Sequence, residues 1–228
     1  MGDDTEVTVW YAILALGGLG AALGLLLALA ARLFRREAAP SPEGASADPD
    51  GEMRMAVLVR CSGGARARNK FQYEGISDCH AAMRIGSGPK ECSYGCIGLG
   101  SCVRACPSGA VSVVDDVAVV DPERCTACRL CVTACPKHII IPVPYSADVH
   151  IACSSRDKGG TLRKMCDIGC LGCRICEKVC IPGAIRVEDN FASIDFDKCS
   201  GCGDCAEKCP RKLIVDAKLD RGPRLMEG

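Results

Sequence analysis

Twenty of the 228 residues are cysteine, and their spacing points to a chemistry. Residues 125–136 read C-x2-C-x2-C-x3-C-P through Cys125, Cys128, Cys131, Cys135 and Pro136. Residues 199–210 read the same through Cys199, Cys202, Cys205, Cys209 and Pro210. Two-residue spacers let three successive thiolates turn inward around one small inorganic core. The fourth thiolate, three residues further on and followed by proline, reaches a second core. This is the ligand pattern of paired [4Fe–4S] clusters. A zinc ribbon uses two separated C-x2-C pairs, so iron–sulfur ligation is the chemistry these runs imply.

Each run has a partner upstream. Cys170, Cys173 and Cys176 form C-x2-C-x2-C with Cys180 as the crossing ligand, its proline one place late at Pro182. In the first half Leu99 stands where Cys173 stands in the second, so the spacing leaves Cys92, Cys96 and Cys102 as ligands, with Cys106 crossing over. The halves correspond because the chain is written twice. A shift of 74 residues carries Cys79, Cys92, Cys96, Cys102 and Cys106 onto Cys153, Cys166, Cys170, Cys176 and Cys180. The same shift carries Cys125, Cys128, Cys131 and Cys135 onto Cys199, Cys202, Cys205 and Cys209, a register without gaps that marks an internal duplication. Sixteen cysteines are then ligands of four [4Fe–4S] clusters. Cys61, Cys79, Cys153 and Cys166 remain. They are either the ligands of a fifth cluster at the junction of the repeats, or reduced thiols that pack as small hydrophobes.

These thiols need short elements to hold them. "AVSVVDDVAVVD" and "AIRVEDNFASID" are short apolar strands meeting at acidic turns, a β-hairpin signal, and "RLCVTACP" and "DCAEKCP" each predict a helical turn. The fold class is therefore α+β, with two tandem bacterial-type 2[4Fe–4S] ferredoxin-like modules at residues 92–142 and 170–216. A lead-in segment at 55–91 carries Cys61 and Cys79, and a connector at 143–169 carries Cys153 and Cys166. Repeats this short build little apolar core, so the cluster-free chain is expected to be largely unfolded.

The N-terminal part belongs to another environment. Val7–Ala31 contains no charged residue, and at about 1.5 Å per residue such a helix would cross a bilayer. Asp3, Asp4 and Glu6 precede it, and Arg32, Arg35 and Arg36 come directly after it. That charge bias places the chain beyond Arg32 on the cytoplasmic side. We read 7–33 as a single-pass anchor in the inner (cytoplasmic) membrane rather than a cleaved signal peptide, whose n-region would be basic. Residues 34–54, rich in Pro, Ala, Ser, Gly and acid, read as a flexible linker. Reduced cytoplasmic cysteines favour metal ligation over disulfides. Net charge is zero, which excludes a nucleic-acid binder acting through a basic field. The three histidines have no metal spacing, no glycine-rich nucleotide loop follows a strand, and no nucleophile stands with a base, so the chain has no catalytic residues of its own.

Taken together, "MAVLVRCSGG", "YEGISDCHAA", "CSYGCIGLGSCVRACP", "ACSSRDKGG", the doubled cysteine runs and the anchor resemble the B subunit of Rnf-type ferredoxin:NAD oxidoreductases, from about Met55 to Ile214. The resemblance implies an electron-entry subunit. It would take low-potential electrons from soluble ferredoxin or a similar donor and relay them to other membrane subunits of an ion-pumping complex. Such subunits usually carry a Cys-Gly-x-Cys-Gly segment after the anchor; residues 37–54 here contain no cysteine. Two other readings fit the runs alone: the four-cluster subunit of a molybdopterin-type reductase, and a zinc or cluster-assembly scaffold without redox turnover.

Overall fold

Hairpins close at the acidic turns that the sequence predicts. In the computed structural model, which describes residues 54–216, β2 (Val111–Val114) pairs with β3 (Val117–Val120), and β6 (Ile185–Glu188) with β7 (Phe191–Ile194). The turns are Asp115-Asp116 (φ 47° and 61°) and Asp189-Asn190 (φ 48° and 60°). Positive φ at both central residues makes a turn whose twist matches that of the strands, and Asp and Asn tolerate it. The anchor at 7–33 and the linker up to residue 53 lie outside the described residues. Among the described residues no helix is long and apolar enough to cross a membrane.

A second pairing brackets each hairpin. β1 (Met55–Val59) runs antiparallel to β4 (Ile140–Pro144), and β5 (Val149–Ile151) to β8 (Ile214–Asp216). Short helices carry the intervening chain: α1 (Cys79–Met83), α2 (Ser101–Arg104), α3 (Leu130–Thr133), α4 (Gly159–Met165), α5 (Ile175–Val179) and α6 (Asp204–Lys208). The helical turns expected at "RLCVTACP" and "DCAEKCP" are α3 and α6.

The strand register revises the repeat at one point. Val59 faces Ile140 and Ile151 faces Ile214. Ile140 and Ile214 obey the 74-residue shift, whereas Val59 and Ile151 are 92 residues apart. The first repeat therefore carries eighteen more residues after its lead strand, with α1 among them. In space the counterpart of Cys153 is Cys61, two residues beyond β1 as Cys153 is two beyond β5; Cys79, its partner in the sequence shift, sits elsewhere.

Each module's core mixes small aliphatic side chains with thiols. Val59, Val111 and Ile140 surround Cys102 and Cys131, and their counterparts Ile151, Ile185 and Ile214 surround Cys176 and Cys205. The repeats are joined through residues 66–70. Arg68 N donates to Met165 O (2.8 Å) and Asp167 N to Arg66 O (3.2 Å) on one side, and Glu91 N donates to Arg68 O (2.8 Å) on the other. Arg60 adds a longer tie, donating to Ala192 O (2.9 Å) and Cys153 O (3.3 Å), with its guanidinium 4.1 Å from the Phe191 ring centre.

Candidate metal centres

The backbone of the cysteine loops is left-handed at fixed places. In the loop Cys125–Cys131 the residues flanking Cys128 are Ala127 (φ 53°) and Arg129 (φ 61°). Around Cys173 they are Gly172 (63°) and Arg174 (60°), and around Cys202 they are Gly201 (66°) and Gly203 (82°). Around Leu99 they are Gly98 (84°) and Gly100 (70°). Alternating hand in this way curls the chain into a concavity in which amides and alternate side chains face inward. Leu99 thus sits on a ligand loop without being a ligand. After the fourth cysteine of each run the chain turns back, with Gly109, His138, Gly183 and Lys212 donating their amides to Cys106, Cys135, Cys180 and Cys209 O at 3.0–3.4 Å.

This framework sorts the thiols into groups. A cleft of about 380 Å³, its open mouth included, is lined by Cys79, Cys96, Cys102 and Cys135. Its counterpart in the second repeat, also about 380 Å³, is lined by Cys170, Cys173, Cys176 and Cys209. Cys131 stands near Cys125, Cys106 and Cys128, and Cys205 near Cys199, Cys202 and Cys180. In three of the groups the fourth cysteine of one run stands with three of the other, and in the first Cys135 stands with Cys96, Cys102 and Cys79. Cys79, carried in by α1, occupies the place that Cys173 takes in the second repeat and that Leu99 leaves without sulfur. Cys92, placed by spacing with Cys96 and Cys102, instead lies near Cys61 and Cys166. The sequence did carry a signal for this: Leu99 leaves one ligand short, and "VLVRCS" at 57–62 matches "VHIACS" at 149–154.

Burial dominates the electrostatics. It pushes the thiols of Cys96, Cys153 and Cys176 up to about 12, with further increments from neighbouring cysteines. Burial and then Cys79 and Cys135 raise Cys102 to about 11, and burial and then Cys199, Cys202 and Cys180 raise Cys205 to about 11. Buried thiols hold their protons unless a cation replaces them. Among the described residues no three His, Cys, Asp or Glu side chains converge so as to hold a single metal ion. A [4Fe–4S] core presents one iron to each of four separated thiolates, and each group supplies four thiols. His80 Nε2 is 3.2 Å from Ala134 O, and neither His80 nor His138 lines either cleft.

Two 4Fe–4S dicluster domain families match the chain, one at residues 90–139 and the other at 169–214. The B subunit of the ion-translocating oxidoreductase complex of Methanosarcina acetivorans is 40% identical over 159 residues, covering 69% of this chain and 60% of the relative. The B subunit of a Na(+)-translocating ferredoxin:NAD(+) oxidoreductase complex from Acetobacterium woodii is 40% identical over 164 residues (71% and 49%). That of a proton-translocating ferredoxin:NAD(+) oxidoreductase complex from Clostridium ljungdahlii is 45% identical over 175 residues (75% and 61%). The matches span only about half to three-fifths of these relatives' lengths. Two tandem 4Fe–4S dicluster domains and this similarity identify the chain as RnfB-like.

Proposed function

We propose that this chain is a membrane-anchored electron-transfer subunit that accepts electrons from ferredoxin and relays them within an Rnf-type ion-pumping complex. Four [4Fe–4S] clusters would be held by Cys79, Cys96, Cys102 and Cys135; by Cys106, Cys125, Cys128 and Cys131; by Cys170, Cys173, Cys176 and Cys209; and by Cys180, Cys199, Cys202 and Cys205. Such a cluster supplies reversible one-electron transfer at a potential between about −700 and +450 mV, set by its surroundings. The observation that carries this reading is the exchange of fourth cysteines between runs, found in both repeats. The names of two relatives supply the donor class and the ion-translocating complex. The uncharged span at 7–31 supports single-pass attachment to the inner membrane, with the clusters in the cytoplasm. Because residues 37–54 lack cysteine, transfer to membrane partners would start from the dicluster modules themselves.

The test uses the full chain, made anaerobically and held in detergent. Reduced ferredoxin should bleach its visible iron–sulfur absorption and generate EPR signals of reduced [4Fe–4S] clusters, and oxidation should restore the starting spectrum. Zinc in place of iron, or iron that ferredoxin does not reduce, would overturn the proposal. Recovery of the chain with the soluble fraction before detergent is added would overturn the anchor.

A further inference from the structure

Four thiols take no part in the groups above, and the fold gathers them at the seam between the repeats. Cys61 and Cys153, each two residues beyond a lead strand, form an antiparallel bridge with each other. Cys166 bridges to Ala67 from one side of residues 66–70, and the segment that precedes Cys92 pairs with the other side. Cys92 and Cys166 are buried in one cluster with Ala67 and Leu162. A Cβ placed on Gly63 would lie 3.3 Å from the Cys166 sulfur and 3.7 Å from the Cys61 sulfur, so these sulfurs are at most about 7 Å apart. Cys92 is close enough to both to feel their charge, and Cys153 to feel that of Cys61.

We infer that Cys61, Cys92, Cys153 and Cys166 hold a fifth [4Fe–4S] cluster shared by the two repeats. The inference rests on the four-cluster reading above and replaces Cys79 with Cys92 in the set that spacing suggested. It also accounts for every cysteine in the chain, twenty thiols in five groups of four. The surroundings of Cys61 and Cys153 also match across the repeats. The Cys61 sulfur accepts the amide of Cys96 at 3.4 Å, and the Cys153 sulfur accepts the amide of Cys170 at 3.4 Å. Cys96 and Cys170 are the first cysteines of matched ligand loops. Hydrogen bonds to sulfur are among the surroundings that set a cluster's potential. Cations also face the group from both modules: Arg60 lies near Cys153, and Lys137, bonded to Ser87 O and Ser93 O at 2.8 Å, lies near Cys92. Ligation would release four thiol protons to solvent as each sulfur binds one iron of the core.

The full-length chain, purified anaerobically in detergent, should contain about twenty irons at four per cluster, and its native mass should correspond to five clusters. The pairs Cys92→Ala/Cys166→Ala and Cys61→Ala/Cys153→Ala should each lower the count to about sixteen. All four substitutions together should leave it at about sixteen, since one site is lost in every case. A wild-type mass and iron content of four clusters, with normal ferredoxin reduction, would overturn the fifth site and leave the proposed function standing. Retention of about twenty irons by the fourfold variant would also overturn it. The wild-type mass decides the matter even where a variant folds poorly. A chain without iron would instead refute the proposed function itself.

Discussion

The sharpest consequence of the ligand sets concerns Cys79, which spacing alone leaves over. Cys79→Ala removes one of four thiolates around the first module's cleft and exposes one iron corner to loss. The expected result is a fall of about one iron per chain and the EPR signature of a three-iron cluster in the oxidised protein. The substitution should not unfold α1. Asp78 caps the helix by accepting the Ala81 amide at 2.9 Å, and the Cys79 amide donates to Ser101 Oγ at 2.8 Å; neither contact involves the thiol. Truncating a buried sulfur leaves a void of atom size, a cost of about 1 kcal/mol. The rescue is more demanding. Leu99 lies between Gly98 and Gly100, both left-handed, as Cys173 lies between Gly172 and Arg174. Adding Leu99→Cys to Cys79→Ala would rebuild C-x2-C-x2-C at residues 96–102. It should restore the lost iron and abolish the three-iron signal, as read by iron analysis and EPR on anaerobic samples. Full iron in Cys79→Ala would refute the assignment, as would failure of Leu99→Cys to restore it.

The same geometry makes further demands. Arg60→Gln removes a guanidinium bonded to two carbonyls across the repeats and stacked on Phe191. It should cost about 2–3 kcal/mol in anaerobic denaturant unfolding, and an unchanged midpoint would discount this tie. Ala127→Gly relieves an L-residue held at φ 53° and should stabilise the loaded protein by up to about 1 kcal/mol in the same assay; a loss of stability would contradict the left-handed loop. Acid should strip the clusters. Burial raises the thiols of Cys96 and Cys176 to about 12, so each must lose a proton on ligation; with four thiols per cluster, and sulfide also protonated on release, affinity should fall by at least about four decades per pH unit lowered. Chelator competition at two pH values reads this slope, and a flat response would exclude proton-coupled ligation. Removing the iron with chelator should abolish the hairpin and helix signals in circular dichroism, because the module cores contain thiols where other domains hold large apolar side chains.

Local rules determined much of this protein. The hairpins at Asp115-Asp116 and Asp189-Asn190 are written in Asp and Asn residues between β-branched runs, since a two-residue turn needs residues that accept positive φ. The helical turns at α3 and α6 and the chemistry of both C-x2-C-x2-C-x3-C-P runs are likewise local, because three thiols two residues apart can scarcely do otherwise than face one core. The 74-residue duplication is visible without any coordinates. What spacing could not decide was which distant thiols complete each group. Cys79 and Cys92 are thirteen residues apart in the same repeat, and both precede the loop that lacks a ligand at Leu99. Only the path of the chain separates them: α1 brings Cys79 to the cleft, while the pairing of residues 89–91 with 68–70 takes Cys92 to the seam. The equivalence of Cys61 with Cys153 was hidden for the same reason. Eighteen extra residues shift the sequence register but not the strand register, because β1 and β5 are placed by hydrogen bonds to β4 and β8, which do not depend on how much chain lies between.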